Sequence, residues 1–508
     1  MLHDNAPGRQ SALFFHENGE VSVDDFASAE SVTLPAIYPE RLGDRQFRDL
    51  HDCRFAYVVG AMAQGITTAE MVIAARRAGF LAFFGAAGLA LGTIEAALDK
   101  IRAALGPDDR GWGSNLIHAP QSPETERQIV DLYLRKGVTR VSASAFMSLS
   151  AEIVRYAAKG MRRTEDGEVI RRNHVFAKVS HPSLARAFMS PAPTDMAEAL
   201  VTNGDLSEDE AFCITRLPVA CDITAEADSG GHTDNRPAAA LFAAFSKVRE
   251  TVCRDYGYPA DTIRIGSAGG IGTPQALAAA YTMGAAYAVT GSVNQATRES
   301  GLSATAKAKL AKVSIEDVAM APAADMFERG VKVQVLKRGT FFPVRADRLY
   351  RLYTTYSGLD ELPARDRDFV ETCLGESIDT AWQKTLHYLE TSRPTDAGRA
   401  RASEKVKMGF LFRRYLFQCA DWARTGDESH QAEYQIWCGP ALGAFNMWAE
   451  GSALEPLEAR TVRRIGYALL DGAARVTRAQ SLRSLGVDVP PSQFHPPAPT
   501  ATDEEKPS

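Results

Sequence analysis

The stretch Ile263-Arg-Ile-Gly-Ser-Ala-Gly-Gly-Ile-Gly-Thr-Pro-Gln-Ala-Leu277, followed by Ala286-Tyr-Ala-Val-Thr-Gly-Ser292, decides the fold. Its first part reads as a buried strand, a glycine turn at Gly269, Gly270 and Gly272, and a helix with Thr273 as N-cap and Pro274 in its first position. The second part is another short apolar strand that ends in Gly291-Ser292. Two successive βα units that each close on a glycine turn face backbone N–H groups outward, and a helix N-terminus adds its positive dipole end. In an eight-stranded barrel the loops after strands seven and eight are where phosphate usually sits. Either turn alone fits a plain strand-to-helix corner; the two together favour a phosphate cradle.

Working outward, the order helix, glycine, strand recurs. Residues 67–77 have helical periodicity, Gly79 stops them, and 80–85 is strand-like; the same order appears at 133–142 and 280–289. Adding apolar runs at 55–60, 114–117, 174–179, 219–223 and 263–267 gives about eight strands alternating with helices, the usual content of a (β/α)8 TIM barrel. An open doubly wound sheet is the alternative. It fits less well, because the first βα turn, Gly60-Ala-Met-Ala-Gln-Gly65, is no G-x-G-x-x-G fingerprint. The fold class expected is therefore α/β, a barrel over 51–330, with a C-terminal helical subdomain over 331–487. Residues 1–50 read as an extended leader packed on the barrel, and 488–508, rich in Pro and acidic residues, as a disordered tail.

Composition narrows the function. The chain has 508 residues, 45% of them hydrophobic, and a net charge of −6, which argues against a nucleic-acid binder. Its seven cysteines are scattered without metal-ligand spacing and read as reduced thiols. No signal peptide or membrane-length apolar run is present, so a cytoplasmic location is expected.

In a barrel the reactive groups lie at the carboxyl ends of the strands. Those ends carry Gly60, Ala61 and Met62, then Asn115 with His118, Lys178, the loop Glu226-Ala-Asp-Ser-Gly-Gly-His232, and finally the glycine turns. No G-x-S-x-G elbow supplies a hydrolase nucleophile. A phosphate site, a first turn of small residues against which a flat ring can lie, and a lone strand-end lysine best fit FMN, whose reduced form carries negative charge that a cation stabilises. Lys178 as an ordinary surface lysine is the plainer reading. His232 could exchange a proton at neutral pH, or only hydrogen-bond Glu226 or Asp228 and shape the loop. His118 is the second candidate. The run Lys332, Lys337, Arg338, Arg345, Arg348 and Arg351 is either a solvated face or a dock for an acidic partner.

The segments 60–65, Asn115-Leu-Ile-His118, Phe176-Ala-Lys178, 226–232, 267–272 and Ile436-Trp-Cys-Gly-Pro-Ala-Leu-Gly-Ala-Phe-Asn446 resemble the PfaD family, trans-acting enoyl reductases of polyunsaturated fatty acid and trans-acyltransferase polyketide synthases, themselves similar to nitronate monooxygenases. The resemblance runs from about residue 34 to 486. It implies an FMN-dependent, NADPH-consuming reduction of enoyl thioesters carried by acyl carrier protein, and the architecture is one in which homodimers are common. It implies Ala61 and Met62 along the isoalloxazine, with Gly60 in the same turn, and Asn115 and Lys178 at the ring's polar edge. Gly269, Gly270, Gly291 and Ser292 would hold the phosphate, and His232 would stand as the active-site histidine. A nitronate-oxidising flavoenzyme and a flavin-free scaffold partner of a synthase are the alternatives.

Overall fold

The structure, a computed structural model, describes residues 11–15, 20–25, 30–120 and 122–500. Eight parallel strands close into a barrel: β1 (Tyr57–Val59), β2 (Leu81–Phe84), β3 (Trp112–Ile117), β4 (Arg140–Ser144), β5 (His174–Val179), β6 (Asp222–Glu226), β7 (Arg264–Ala268) and β8 (Ala288–Thr290). Closure is made where Ala288 of β8 pairs with Tyr57 of β1. The TIM-barrel expectation is thereby met. One strand is displaced from its expected place at 219–223. The N–H groups of Val219 and Ala220 donate to Ser190 and Phe188 carbonyls (3.0 and 2.8 Å), so the β-ladder begins only at Asp222.

The helix after β7 starts as its sequence requires: Thr273 Oγ1 accepts from the Ala276 N–H (3.3 Å) and Pro274 occupies the first turn. The bottom of the barrel is plugged by helix Arg45–His51, whose Phe47 stacks on Tyr287 at 4.5 Å. The last residue of that plug, His51, meets Asp222 and Arg140, and these three with Arg264 are all buried.

After β8 the chain leaves the barrel. Strands β9 (Val318–Pro322) and β10 (Lys332–Leu336) pair antiparallel, and the loop after β6 adds Gly231 and His232 to the far side of β10. Helices Phe342–Thr355, Ala364–Leu374, Ile378–Ser392, Pro394–Ala402 and Glu404–Thr425 then build a core of their own, with Phe327, Phe342, Leu349, Leu411 and Phe412 buried in it.

Two expectations about domain limits are corrected. The helical unit does not run to residue 487: Pro440–Ala449 and Val462–Ser484 return to the barrel, and Phe445, Ile465, Leu469 and Leu470 join its core. Gly472 lies so close to Pro274 that a Cβ there would stand 2.6 Å from its ring. Helical periodicity shows which face is apolar and not which neighbour covers it. The tail is ordered through residue 500, since Trp448 Nε1 donates to the Pro496 carbonyl and Ala453 N–H to that of Pro499, both at 2.9 Å. Positions 501–508 lie outside the described residues. The leader forms an antiparallel meander of Ser11–Phe15, Val21–Asp25 and Glu30–Leu34, with Val21 packed on Ala479, Leu482 and Val489. Among the described residues no helix is long and apolar enough to cross a membrane.

Candidate active site at the carboxyl end of the barrel

A cavity of about 440 Å³ opens at the carboxyl ends of the strands, within the range usual for small-molecule sites. Gly60, Ala61, Met62, Asn115, Lys178, His232, Gly269, Gly270, Gly291 and Ser292 all line it, as does His118.

The turn after β1 is held by Thr67, which sequence reasoning missed. Its hydroxyl accepts from the Met62 N–H (2.9 Å) and donates to the Gly60 carbonyl (3.0 Å). Gly60 N–H in turn donates to Thr290 at the end of β8 (2.9 Å), tying the first turn to the last. Asn115 Oδ1 accepts from the Ala87 N–H (3.1 Å), which fixes the carboxamide so that its NH2 is the end not engaged by Ala87.

Ala268 pairs with Val289, so the two glycine corners stand side by side on neighbouring strands. Gly269 has φ +91°, and a Cβ there would lie 2.7 Å from the Asp228 backbone nitrogen; only glycine fits. A Cβ at Gly270 or Gly291 would meet nothing within 4 Å, so the backbone there is open to a ligand. One detail departs from the expected cradle: the Gly270 N–H is already engaged by the Asp228 carbonyl (2.8 Å). Ser292 Oγ accepts from the Gly439 N–H (3.0 Å), leaving its own O–H to donate.

Lys178 is not a lone lysine. Its Nζ is ion-paired with Glu226 Oε1, which also accepts from Ser229 Oγ (2.7 Å). The register brings them together: Lys178 lies opposite Thr224, and Glu226 closes the neighbouring strand.

His232 bonds neither Glu226 nor Asp228. Its Nε2 lies 2.9 Å from Asp325 Oδ1, on the segment between β9 and β10. Burial opposes charge on the ring, but the Asp325 carboxylate outweighs it and raises the His232 pKa above its ordinary value. Asp325 is correspondingly lowered; burial pushes it up, and His232 pulls it further down. Asp325 thus favours the protonated over the neutral ring, with Nε2–H donating to its carboxylate and Nδ1 facing away from it. His118 is tied down differently: Nδ1 lies 3.2 Å from Glu126 Oε2 and the ring stacks on Phe146 at 4.8 Å.

The expected basic dock is largely neutralised within the chain. Arg345 pairs with Glu433 and Arg348 with Asp366, both at 2.7 Å; Arg338 reaches Asp317 (3.3 Å) and Arg351 reaches Asp347 (3.6 Å). The motif at 436–446 is a seam between the helical unit and the barrel. A Cβ at Gly272 would stand 1.9 Å from the Ala441 carbonyl oxygen, and one at Gly443 2.2 Å from the Ser314 backbone.

Fold and cavity define a (β/α)8 barrel with its ligand cavity at the strand ends, roofed by an inserted helical unit. FabK from Thermotoga maritima shares the fold, with TM-score 0.50 at 17% identity over 87% of this chain and 98% of that one. Closer in sequence, the enoyl reductase domain of MlnA from the macrolactin biosynthesis cluster of Bacillus amyloliquefaciens superposes with TM-score 0.83 at 37% identity, covering 88% of this chain and 99% of that domain. The chain belongs to the PfaD family of enoyl reductases. It is also 42% identical over 469 residues to a component of the polyunsaturated fatty acid synthase of Thraustochytrium sp., and 42% identical over 440 residues to polyketide biosynthesis protein PksE of Bacillus subtilis. These matches take in 91% and 86% of this chain but 31% and 57% of those proteins. Residues 356–434 match the family described as acyl-carrier-protein S-malonyltransferase, inserted helical domain.

Proposed function

We propose that this chain is an FMN-dependent, NADPH-consuming enoyl reductase that acts in trans on 2-enoyl thioesters carried by acyl carrier protein, in polyunsaturated fatty acid or polyketide synthesis. The observation that carries this reading is the convergence, in one cavity, of open glycine corners, a Lys178–Glu226 pair and a hydrogen-bonded His232–Asp325 pair. The residues fit the cofactor. Gly270, Gly291 and the Ser292 hydroxyl offer an uncrowded phosphate seat beside Gly269; Gly60, Ala61 and Met62 form a rigid small-residue floor; Asn115 and Lys178 present donors. Bound there, FMN supplies the hydride chemistry that links NADPH to the β-carbon of the enoyl thioester.

The chain's own residues supply the rest. Lys178 brings a cation into a site where negative charge develops, and Glu226 keeps that cation in place. His232 holds a proton at Nδ1 while Asp325 fixes the ring through Nε2, the arrangement of a positioned general acid. That proton goes to the α-carbon, so the acid is needed after hydride delivery. A base-initiated nitronate oxidation would start from the neutral ring of the same histidine, and reduction of the flavin by NADPH separates the two reactions. A cytoplasmic location and a homodimeric state belong to the same proposal.

The test is to purify the protein, record its absorbance and follow NADPH oxidation with a crotonyl thioester. A yellow protein whose flavin NADPH reduces anaerobically, and which then turns over the thioester, is the expected result. Flavin that NADPH leaves oxidised would point to the nitronate reading, and a colourless protein to a scaffold.

A further inference from the structure

We propose that the inserted segment carries a second phosphate site on the cavity mouth, formed by Arg329, Arg393 and Arg413 across the barrel from the glycine corners. It takes the phosphoester of a reduced nicotinamide dinucleotide phosphate or of a pantetheine arm.

In the barrel order, β3 and β4 stand opposite β7 and β8. The insert reaches the mouth on that opposite side through two arginines. Arg393 Nη2 donates to Ser122 Oγ (3.2 Å) on the loop after β3, and Arg329 Nη1 to Met147 Sδ (3.4 Å) on the loop after β4. Arg413, from helix Glu404–Thr425, is buried and completes the set; all three line the cavity.

Their charge is poorly matched from within. Among the described residues no carboxylate lies within 4 Å of Arg329, while Arg393 reaches Asp396 and Arg413 reaches Glu328 only at 3.4 Å, beyond the span of a good charge-assisted bond. Arg413 Nε is buried without a partner, and its guanidinium lies near the Phe410 and Phe417 rings, 5.4 and 5.9 Å from their centroids. The carboxylates that line the cavity are Glu226, Asp228 and Asp325; the first and last are spent on Lys178 and His232. Three guanidiniums line this one cavity with forked donors and, among the described residues, no carboxylate nearer than 3.4 Å, which suits a phosphate that accepts bidentate bonds. A second phosphate-bearing molecule entering there would extend toward Lys178 and His232 without crossing the glycine corners. Only the identity of the phosphoester rests on the enoyl reductase reading; the site does not.

The experiment is calorimetric titration of the purified full chain at low salt with phosphopantetheine and, separately, with adenosine 2′,5′-bisphosphate. Wild type should bind at least one of them, and the double variant Arg329→Gln/Arg393→Gln should weaken that binding tenfold or more. Arg413→Lys, which keeps the charge and loses the fork, should weaken it less. The probe that binds identifies the source. In turnover, loss confined to NADPH against NADH marks the nucleotide, and loss confined to carrier-bound substrate against an N-acetylcysteamine thioester marks the pantetheine. If neither probe binds wild type, or both variants bind as wild type does, the proposal is overturned. Flavin content and NADPH oxidation by wild type judge the enoyl reductase reading separately.

Discussion

Among the histidine–aspartate pairs of the described residues, two stand at opposite ends of one barrel, and they behave in opposite ways. At the bottom, His51 Nε2 lies 3.1 Å from Asp222; at the mouth, His232 Nε2 lies 2.9 Å from Asp325. The His51 pKa is lowered, because burial outweighs Asp222, and Arg140 and Arg264 repel a further proton. Arg140 Nε donates to His51 Nδ1 (3.0 Å), so the ring is neutral and spends both nitrogens. Asp222 has its charge answered by Arg264 through two bonds of 2.7 and 3.0 Å. Among the described residues no arginine is bonded to His232, its side chain is 31% exposed, and its pKa is raised. Whether a guanidinium supplies the aspartate's counter-charge thus goes with which way the histidine's pKa moves.

The largest effect that sharpens this contrast is catalytic. His232→Ala should lower kcat about 10²- to 10⁴-fold, the range for loss of a positioned acid, with flavin content and melting temperature unchanged. Asp325→Asn should keep much of the rate at low pH but move the alkaline limb downward. Because the His232 pKa is raised, activity should hold below it and fall as pH rises through it. A pH–rate profile identical in Asp325→Asn and wild type would break the comparison.

The bottom pair should show the reverse pattern. Asp222→Asn leaves Arg264 and Arg140 buried without their anion, which costs about 3–5 kcal/mol of stability. The kcat of protein that remains folded should not change. Denaturant titration beside turnover per bound flavin checks both halves.

Next in size is the acid limb of stability. His51 and His174 both have lowered pKa values, His174 through burial first and the charges of His51 and Arg140 after it. Below pH 6.5 the unfolded chain takes up protons that the folded chain refuses, so stability falls as pH falls, by up to about 1.4 kcal/mol per pH unit for each group. His232 acts in the opposite sense: its contribution is full below pH 6.5 and is lost as pH rises through its raised value. His174 Nδ1 is buried without a partner, so His174→Phe removes one titrating group and orphans no donor. Its melting temperature should decline less steeply between pH 6.5 and 5 than that of wild type.

What could be read from the sequence was local. Thr273-Pro274 and the glycines after β7 announce a strand, a corner and a helix, because caps and left-handed turns are set by adjacent residues. The candidate residues from Gly60 to Ser292 meet in one cavity because strand ends of a parallel barrel share one rim. Asp325 could not be read, since it lies 93 residues from His232 and reaches it only because β10 pairs with the loop after β6. Glu226 stood in view at a strand end, yet its bond to Lys178 depends on the register of two strands. The return of Val462–Ser484 to the barrel was hidden for a similar reason: its glycines fit Phe80 and Pro274, both far away along the chain.

The smallest effect concerns the arginines at 338–351, and it separates the two faces of the insert. Arg351 is well exposed and pairs with Asp347 one helical turn away at 3.6 Å, a geometry worth at most about 0.5 kcal/mol. Arg348 has a firmer place, bonded to Asp366 and lying 3.9 Å over the Phe369 ring. If the run were a dock for an acidic carrier, charge reversal at Arg351 would raise KM for carrier-bound substrate and spare a small thioester. The internal pairing leads to a different expectation: Arg351→Glu should change neither KM by more than about twofold, while changes at Arg329 and Arg393 on the cavity side should be felt. A KM that rises for the carrier-bound substrate in Arg351→Glu would move the approach of the partner from the cavity mouth to the outer helices.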